Sequence, residues 1–144
     1  MLKLAALAVA AVLLAAAAPP AVGAEERPVR VAYFYKVRWG FQAEFERLFL
    51  KNHYSLLLAQ KKEGSRIKAV NLYKPTFHGE GRADWTFLVV IEFASWSAIG
   101  APSNEEALAR KLFPDQETFK KEEQRRFEIL DAHWDVPLTE VEAP

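Results

Sequence analysis

Asn52, His53 and Glu123 are the residues of this chain whose types and places could do proton chemistry. Stepping 100° per residue through 41–62 puts Asn52 in the middle of an apolar stripe that includes Phe45, Leu48, Phe49 and Leu56, with His53 at its border. The same exercise near the C-terminus sets Glu123 between Phe119 and Phe127, facing the same way. An imidazole and a carboxylate in a largely apolar setting are suited to taking and returning a proton. Tyr33 and Tyr35 share one face of residues 29–38, and the odd row of 67–73 would bring Asn71 and Tyr73 to the same layer if it faces the helices. His53 and Glu123 are thus the candidate catalytic pair, and Tyr33, Tyr35, Asn52, Asn71 and Tyr73 the candidate ligand-binding set.

Two readings of this set stay open. One is a pocket for a small apolar or aromatic molecule, mostly aromatic with a few directed polar groups. The other is a non-catalytic binding or structural module, whose buried polar residues satisfy one another by hydrogen bonds. A metal site has little support, because His53, His78 and His133 show no close ligand pair, although His133 and Asp135 could share a strand face. No metal and no organic cofactor is expected.

The elements that must position these residues read as strand, helix, strand, strand, helix, strand. Residues 29–38 alternate with a period of two, and a helix from Phe41 to about Lys62 stops at Gly64. A strand from Ile67 to Tyr73 ends at Pro75, and a polar loop through His78 to Gly81 leads to a strand from near Trp85 to near Phe93. Ser103 or Asn104 could cap a short helix before Pro114, and Asp115 a longer one carrying Phe119, Phe127, Ile129 and Leu130. The run from Lys120 to Arg126 reads as a solvated face apart from Glu123. Leu50, Tyr54, Leu57 and Leu58 lie off the main stripe of the first helix, so segment 103–113 or a partner subunit is expected to cover them. Trp134 to Val141 forms the last strand.

This βαββαβ order predicts an α+β ferredoxin-like fold with a four-stranded antiparallel sheet in order 4-1-3-2 and both helices on one face. Strands one and three should then be central and most apolar, and Phe87 to Ile91 is apolar on both faces. Pro137 removes a ladder donor and belongs at an edge. A sheet apolar on both faces needs two covers, and helices supply one. The sheet of a second copy is the economical other cover, which predicts a homodimer through the sheet face.

Composition bounds the remainder. Lys3 precedes an apolar run from Leu4 to Ala18, short of the roughly 20 residues of a membrane-spanning helix. Pro19, Pro20 and the small residues up to Ala24 follow, so residues 1–24 read as a signal peptide cut after Ala24 and residues 25–144 as a single domain. A periplasmic or secreted protein is expected, with no membrane attachment after cleavage. The chain has no cysteine, which removes disulfides and thiolate chemistry. Its 19 basic and 19 acidic side chains balance, leaving nothing that attracts nucleic acid or an anionic membrane.

The stretch from Lys36 to Phe45 resembles the strand, glycine turn and helix start of antibiotic-biosynthesis-monooxygenase-like and EthD-like members of the dimeric α+β barrel superfamily. Asn52-His53-Tyr54-Ser55-Leu56-Leu57 is similar to the His-x-Pro-Leu segment of EthD-like proteins, with Ser55 where proline usually stands. The resemblance covers most of residues 29–141. It implies two ferredoxin-like subunits packed sheet against sheet, and cofactor-independent proton-transfer or oxygenase-type chemistry with His53 at the histidine position.

Overall fold

In a computed structural model, residues 27–64, 66–76 and 84–141 are described. The expected signal peptide of residues 1–24, His78 and most of the loop that carries it lie outside them. The elements are β1 (Val29–Val37), α1 (Gln42–Leu48), a π-helical turn (Phe49–Tyr54), α2 (Ser55–Glu63), β2 (Ile67–Tyr73), β3 (Phe87–Phe93), α3 (Trp96–Gly100), α4 (Glu105–Leu112), α5 (Gln116–Glu128) and β4 (Leu130–Leu138). The strands form one antiparallel sheet in the order β2-β3-β1-β4, the expected ferredoxin-like arrangement. β1 and β3 are central. Pro137 pairs with Val31 on edge strand β4, where its missing N–H breaks no inner ladder.

Alternation sorts the two faces. Val29, Val31, Tyr35 and Val37 of β1 and Phe87, Val89, Ile91 and Phe93 of β3 are buried against the helices. Phe45, Phe49 and Leu57 from the helices and Ile129 complete that core. The other face carries Ala32, Phe34, Leu88, Val90 and Trp134, with Phe34 stacked on Trp134 at 5.3 Å and none of the described helices over it. The ion pairs Arg30–Glu92 and Lys36–Asp84 flank this strip.

Three local departures from the expected pattern matter for the site. Lys68 is an extra residue in β2: Ile67 pairs with Phe93 but Ala69 with Glu92, so the bulge moves the odd residues after it to the uncovered face. Val70 and Leu72 therefore face the helices. The first long helix is interrupted by the π turn, where an extra residue per turn resets the direction of the stripe, and it ends at Gly64 with φ 79°, the left-handed cap that glycine provides. β4 starts at Leu130, four residues earlier than the sequence pattern indicates, and it too bulges, since Lys36 pairs with Ala132 and Val37 with Leu130.

The helix caps follow the sequence in part. Asp115 caps α5 by accepting from the Thr118 N–H at 3.0 Å. Asn104 stands at the start of α4 but spends its side chain on Glu63. α4 packs on α2 but does not cover Leu50 or Leu58, and α3, capped by Ser95 Oγ, is an addition to the expected elements. Leu57 belongs to the main core, whereas Leu50 and Leu58 are exposed.

Candidate functional site

The π turn places the two residues that the sequence singled out. Asn52 is fully buried and His53 half-buried beside it, its ring edge-on to Phe49 at 5.3 Å. A turn of π-helix widens the backbone spiral and often marks a functional site. Ser55, at the position where the resembled segment carries proline, donates its hydroxyl to the Leu50 carbonyl at 3.3 Å and ties the end of the turn to its beginning.

Tyr33 and Tyr35 come up from β1 on the same side. Tyr35 is buried, stacked on the His133 ring at 4.3 Å and 14° and packed against Phe45 and Phe49. Burial pushes its phenol up to about 12, so it is a proton donor and not a base. Burial also raises the Tyr33 phenol. Across from them on β4, His133 Nδ1 meets the Phe34 carbonyl at 2.8 Å and Nε2 lies 3.2 Å from Asp135.

Glu123 faces inward as expected, but its two oxygens accept from Nε and Nη2 of Arg126 at 3.1 and 2.7 Å. Arg126 is nearly inaccessible, with its guanidinium over the rings of Phe127 at 4.4 Å and Phe49 at 5.7 Å. The charge run is therefore not solvated there. Phe127, expected in the core, is exposed and serves as the ring beneath the guanidinium. A signal was present: Phe119, Glu122, Arg126 and Ile129 recur at three- and four-residue spacing, which places Arg126 on the packed stripe.

Burial, more than its charged neighbours, decides the state of His53. Its Nδ1 lies 4.0 Å from Glu123, a distance at which a free carboxylate would favour imidazolium. Burial dominates instead, and Arg126 and then His133 add to it, lowering His53 to about 4. The Glu123 charge is already engaged by the guanidinium. His53 is thus a neutral imidazole at physiological pH.

Three expected placements are corrected. Asn52 donates to Glu122 at 3.0 Å and not to Glu123, while Lys51 takes the other Glu122 oxygen at 2.6 Å. Asn71 and Tyr73 do not join the site at all. They pair with Val90 and Leu88 on the uncovered face and are exposed, because the Lys68 bulge reverses the row.

Between the sheet and the helices lies a cavity of about 180 Å³ lined by Tyr33, Tyr35, His53 and Leu57 at one end and by Arg66, Gln60 and Glu105 at the other. Val89, Ile91, Ile67 and Phe93 make its apolar floor. For scale, a dry cavity of about 150 Å³ holds benzene. The space therefore suits one ring with a short substituent. Chemically, the arrangement offers an apolar body site, two phenol donors and one neutral imidazole that can accept a proton.

No protein-family model matches this chain and no curated protein matches its sequence. Solved structures match its fold. A candidate antibiotic biosynthesis monooxygenase from Caulobacter crescentus is 19% identical with a TM-score of 0.51, covering 82% of this chain and 93% of that one. A NIPSNAP family protein from Agrobacterium tumefaciens is 11% identical with a TM-score of 0.51, covering 81% and 95%. An Arabidopsis thaliana protein solved in solution is 15% identical with a TM-score of 0.52, covering 85% and 96%. At these identities the likeness is one of fold. The chain has the ferredoxin-like fold of the antibiotic-biosynthesis-monooxygenase-like proteins that its sequence resembles.

Proposed function

We propose that this chain is an exported homodimer that binds a small apolar or aromatic molecule between its sheet and helices, and that His53 moves a proton on that molecule. The observation that carries the reading is the cavity itself, in which one imidazole and two tyrosines meet branched apolar walls. Binding would displace whatever water occupies the space and bring the neutral imidazole against the ligand. A proton taken by His53 becomes a charge near the Glu123 carboxylate at 4.0 Å, which offers partial compensation after transfer. Tyr33 and Tyr35, both held as phenols, can donate to an oxygen on which negative charge develops.

The dimer reading rests on the uncovered apolar face, and the export reading on residues 1–24. Native mass spectrometry of the mature protein should detect a retained small molecule, and His53→Ala should weaken its retention or block its turnover. Retention of nothing by the wild type, with His53→Ala and Glu123→Ala changing only stability, would sink the pocket reading in favour of the packed module. N-terminal sequencing of exported protein should begin at Glu25; a chain that keeps residues 1–24 would count against the leader.

A further inference from the structure

The end of the cavity away from His53 holds a cation that forms no ion pair among the described residues. Arg66, one residue before β2, points its guanidinium over the Phe93 ring at 5.6 Å. Its Nε donates to the Ala98 carbonyl and its Nη2 to the Ile99 carbonyl, both at 2.8 Å, which fixes the plane of the group against α3. Nη1 has one long contact, 3.4 Å to the Gln60 side-chain oxygen. All three acceptors are neutral. Glu105 lines the same cavity and Glu63 the adjoining one, yet neither forms an ion pair with Arg66; Glu105 accepts from Gln60 and Glu63 from Asn104. A half-buried guanidinium that keeps unused N–H donors on a cavity wall is an anion acceptor, and its fork matches a carboxylate.

Register gives the direction of the site. Val89 pairs with Tyr33, Ile91 with Val31, and Phe93 with both Val29 and Ile67. From Val89 to Phe93 the floor therefore runs along β3 for about 13 Å, from the tyrosines to Arg66. The apolar middle offers no other cation. We propose that the cavity takes a small monocarboxylic acid, its carboxylate on Arg66, its apolar body over Ile91 and Val89, and its far end against His53 and Tyr33. This rests on the pocket reading above and adds the substrate class to it. The acid group fixes orientation, so chemistry at His53 falls on the end of the molecule remote from the carboxylate.

Three compounds with one body and different heads test it: 3-phenylpropionate, 3-phenylpropanol and 3-phenylpropylamine, titrated into mature protein by calorimetry. The acid should bind about tenfold or more tighter than the alcohol, since a charged hydrogen-bonded pair is worth about 1.5–3 kcal/mol and each 1.4 kcal/mol is tenfold, and the amine should bind weakest. Arg66→Met should bring the acid down to the alcohol, Arg66→Lys should keep part of the preference, and Glu105→Gln should strengthen the acid a few-fold by removing a like charge. Equal binding of acid and alcohol by the wild type, or preference for the amine, overturns the acid class while leaving the pocket reading intact. Binding of none of the three overturns the acid class for this body, and native mass spectrometry then decides the pocket reading separately. Should Arg66→Met fail to fold, an acid-to-alcohol ratio unchanged in both Arg66→Lys and Glu105→Gln overturns it equally.

Discussion

His53 is a neutral base because burial, with Arg126 and then His133 adding to it, disfavours its protonated form, and that has a measurable sign. Its folded value, about 4, lies below the ordinary 6.5. Between those values the unfolded chain binds more protons than the folded one, so stability rises with pH across that window and is lost as pH falls from about 6.5 to about 4. The loss from this residue is at most about 3 kcal/mol, an upper bound because part of the ring meets solvent. NMR titration should show the His53 ring unprotonated down to about pH 4, and His53→Asn should flatten the acid limb of the stability profile; a ring titrating near 6.5 would refute the assignment. The pair beside it can be tested by breaking it. Arg126→Met strands Glu123 and should cost about 3–5 kcal/mol, while the double variant Arg126→Met with Glu123→Leu should recover most of that. The same single variant should raise the His53 titration point, since it removes a positive charge and frees a negative one. Unfolding midpoints and His53 ring titration of the two Arg126 variants separate this from simple loss of packing.

At the scale of elements, what the sequence pattern reveals and what it hides divide along a physical line. Strand alternation, the Gly64 stop, the Asp115 cap and the central places of β1 and β3 are local or compositional properties, and all are legible in the order of the residues alone. The bulge at Lys68 is a one-residue event settled by pairing with β3, so a strict period of two carries Asn71 and Tyr73 to the wrong face. Its trace is the spacing of three from Ile67 to Val70, where alternation would give two. Arg126 was hidden for another reason: burial of a guanidinium depends on Glu123 and the Phe127 and Phe49 rings assembling around it, which residue type alone argues against. The π turn is hidden as well, because its inserted residue rotates one side of the helix against the other by about 100° relative to a regular α-helix, and no residue type in Phe49–Tyr54 announces it. Deleting exposed Lys51 should let the helix close into regular α form while α1 and α2 keep their packing. The expected outcome is a folded protein, less stable by about 1–2 kcal/mol as is common for point changes, in which the His53 ring leaves the cavity and titrates near its ordinary 6.5. Chemical denaturation and ring titration measure the two effects independently, and an unchanged low His53 titration would show that the inserted residue is not what sets it.

For the whole molecule, the uncovered sheet face is the feature that a lone subunit leaves unexplained. Ala32, Phe34, Leu88, Val90 and Trp134 form a continuous apolar strip across all but the β2 edge, and Val136 and Leu138 extend it while more than a third exposed. Elements that bury one face against helices and present another apolar face need a second layer, and the flanking pairs Arg30–Glu92 and Lys36–Asp84 give the polar rim that surrounds an interface core. The chain has no cysteine, so no disulfide can substitute for that packing. A second copy matches the strip best, since a two-fold axis places like apolar strips against each other without charge conflict. Mature protein should sediment as a dimer at micromolar concentration, with a thermal midpoint that rises with concentration because association stabilises only the folded state. Val90→Glu places a charge at the centre of the strip, on a central strand, and should give a folded monomer with a lower, concentration-independent midpoint. Leu58→Glu, an equally drastic change at an exposed position on the helical side, should leave the dimer intact. If both variants remain dimeric, or the wild type is monomeric, the sheet face is not the interface and the second apolar layer must be explained in another way.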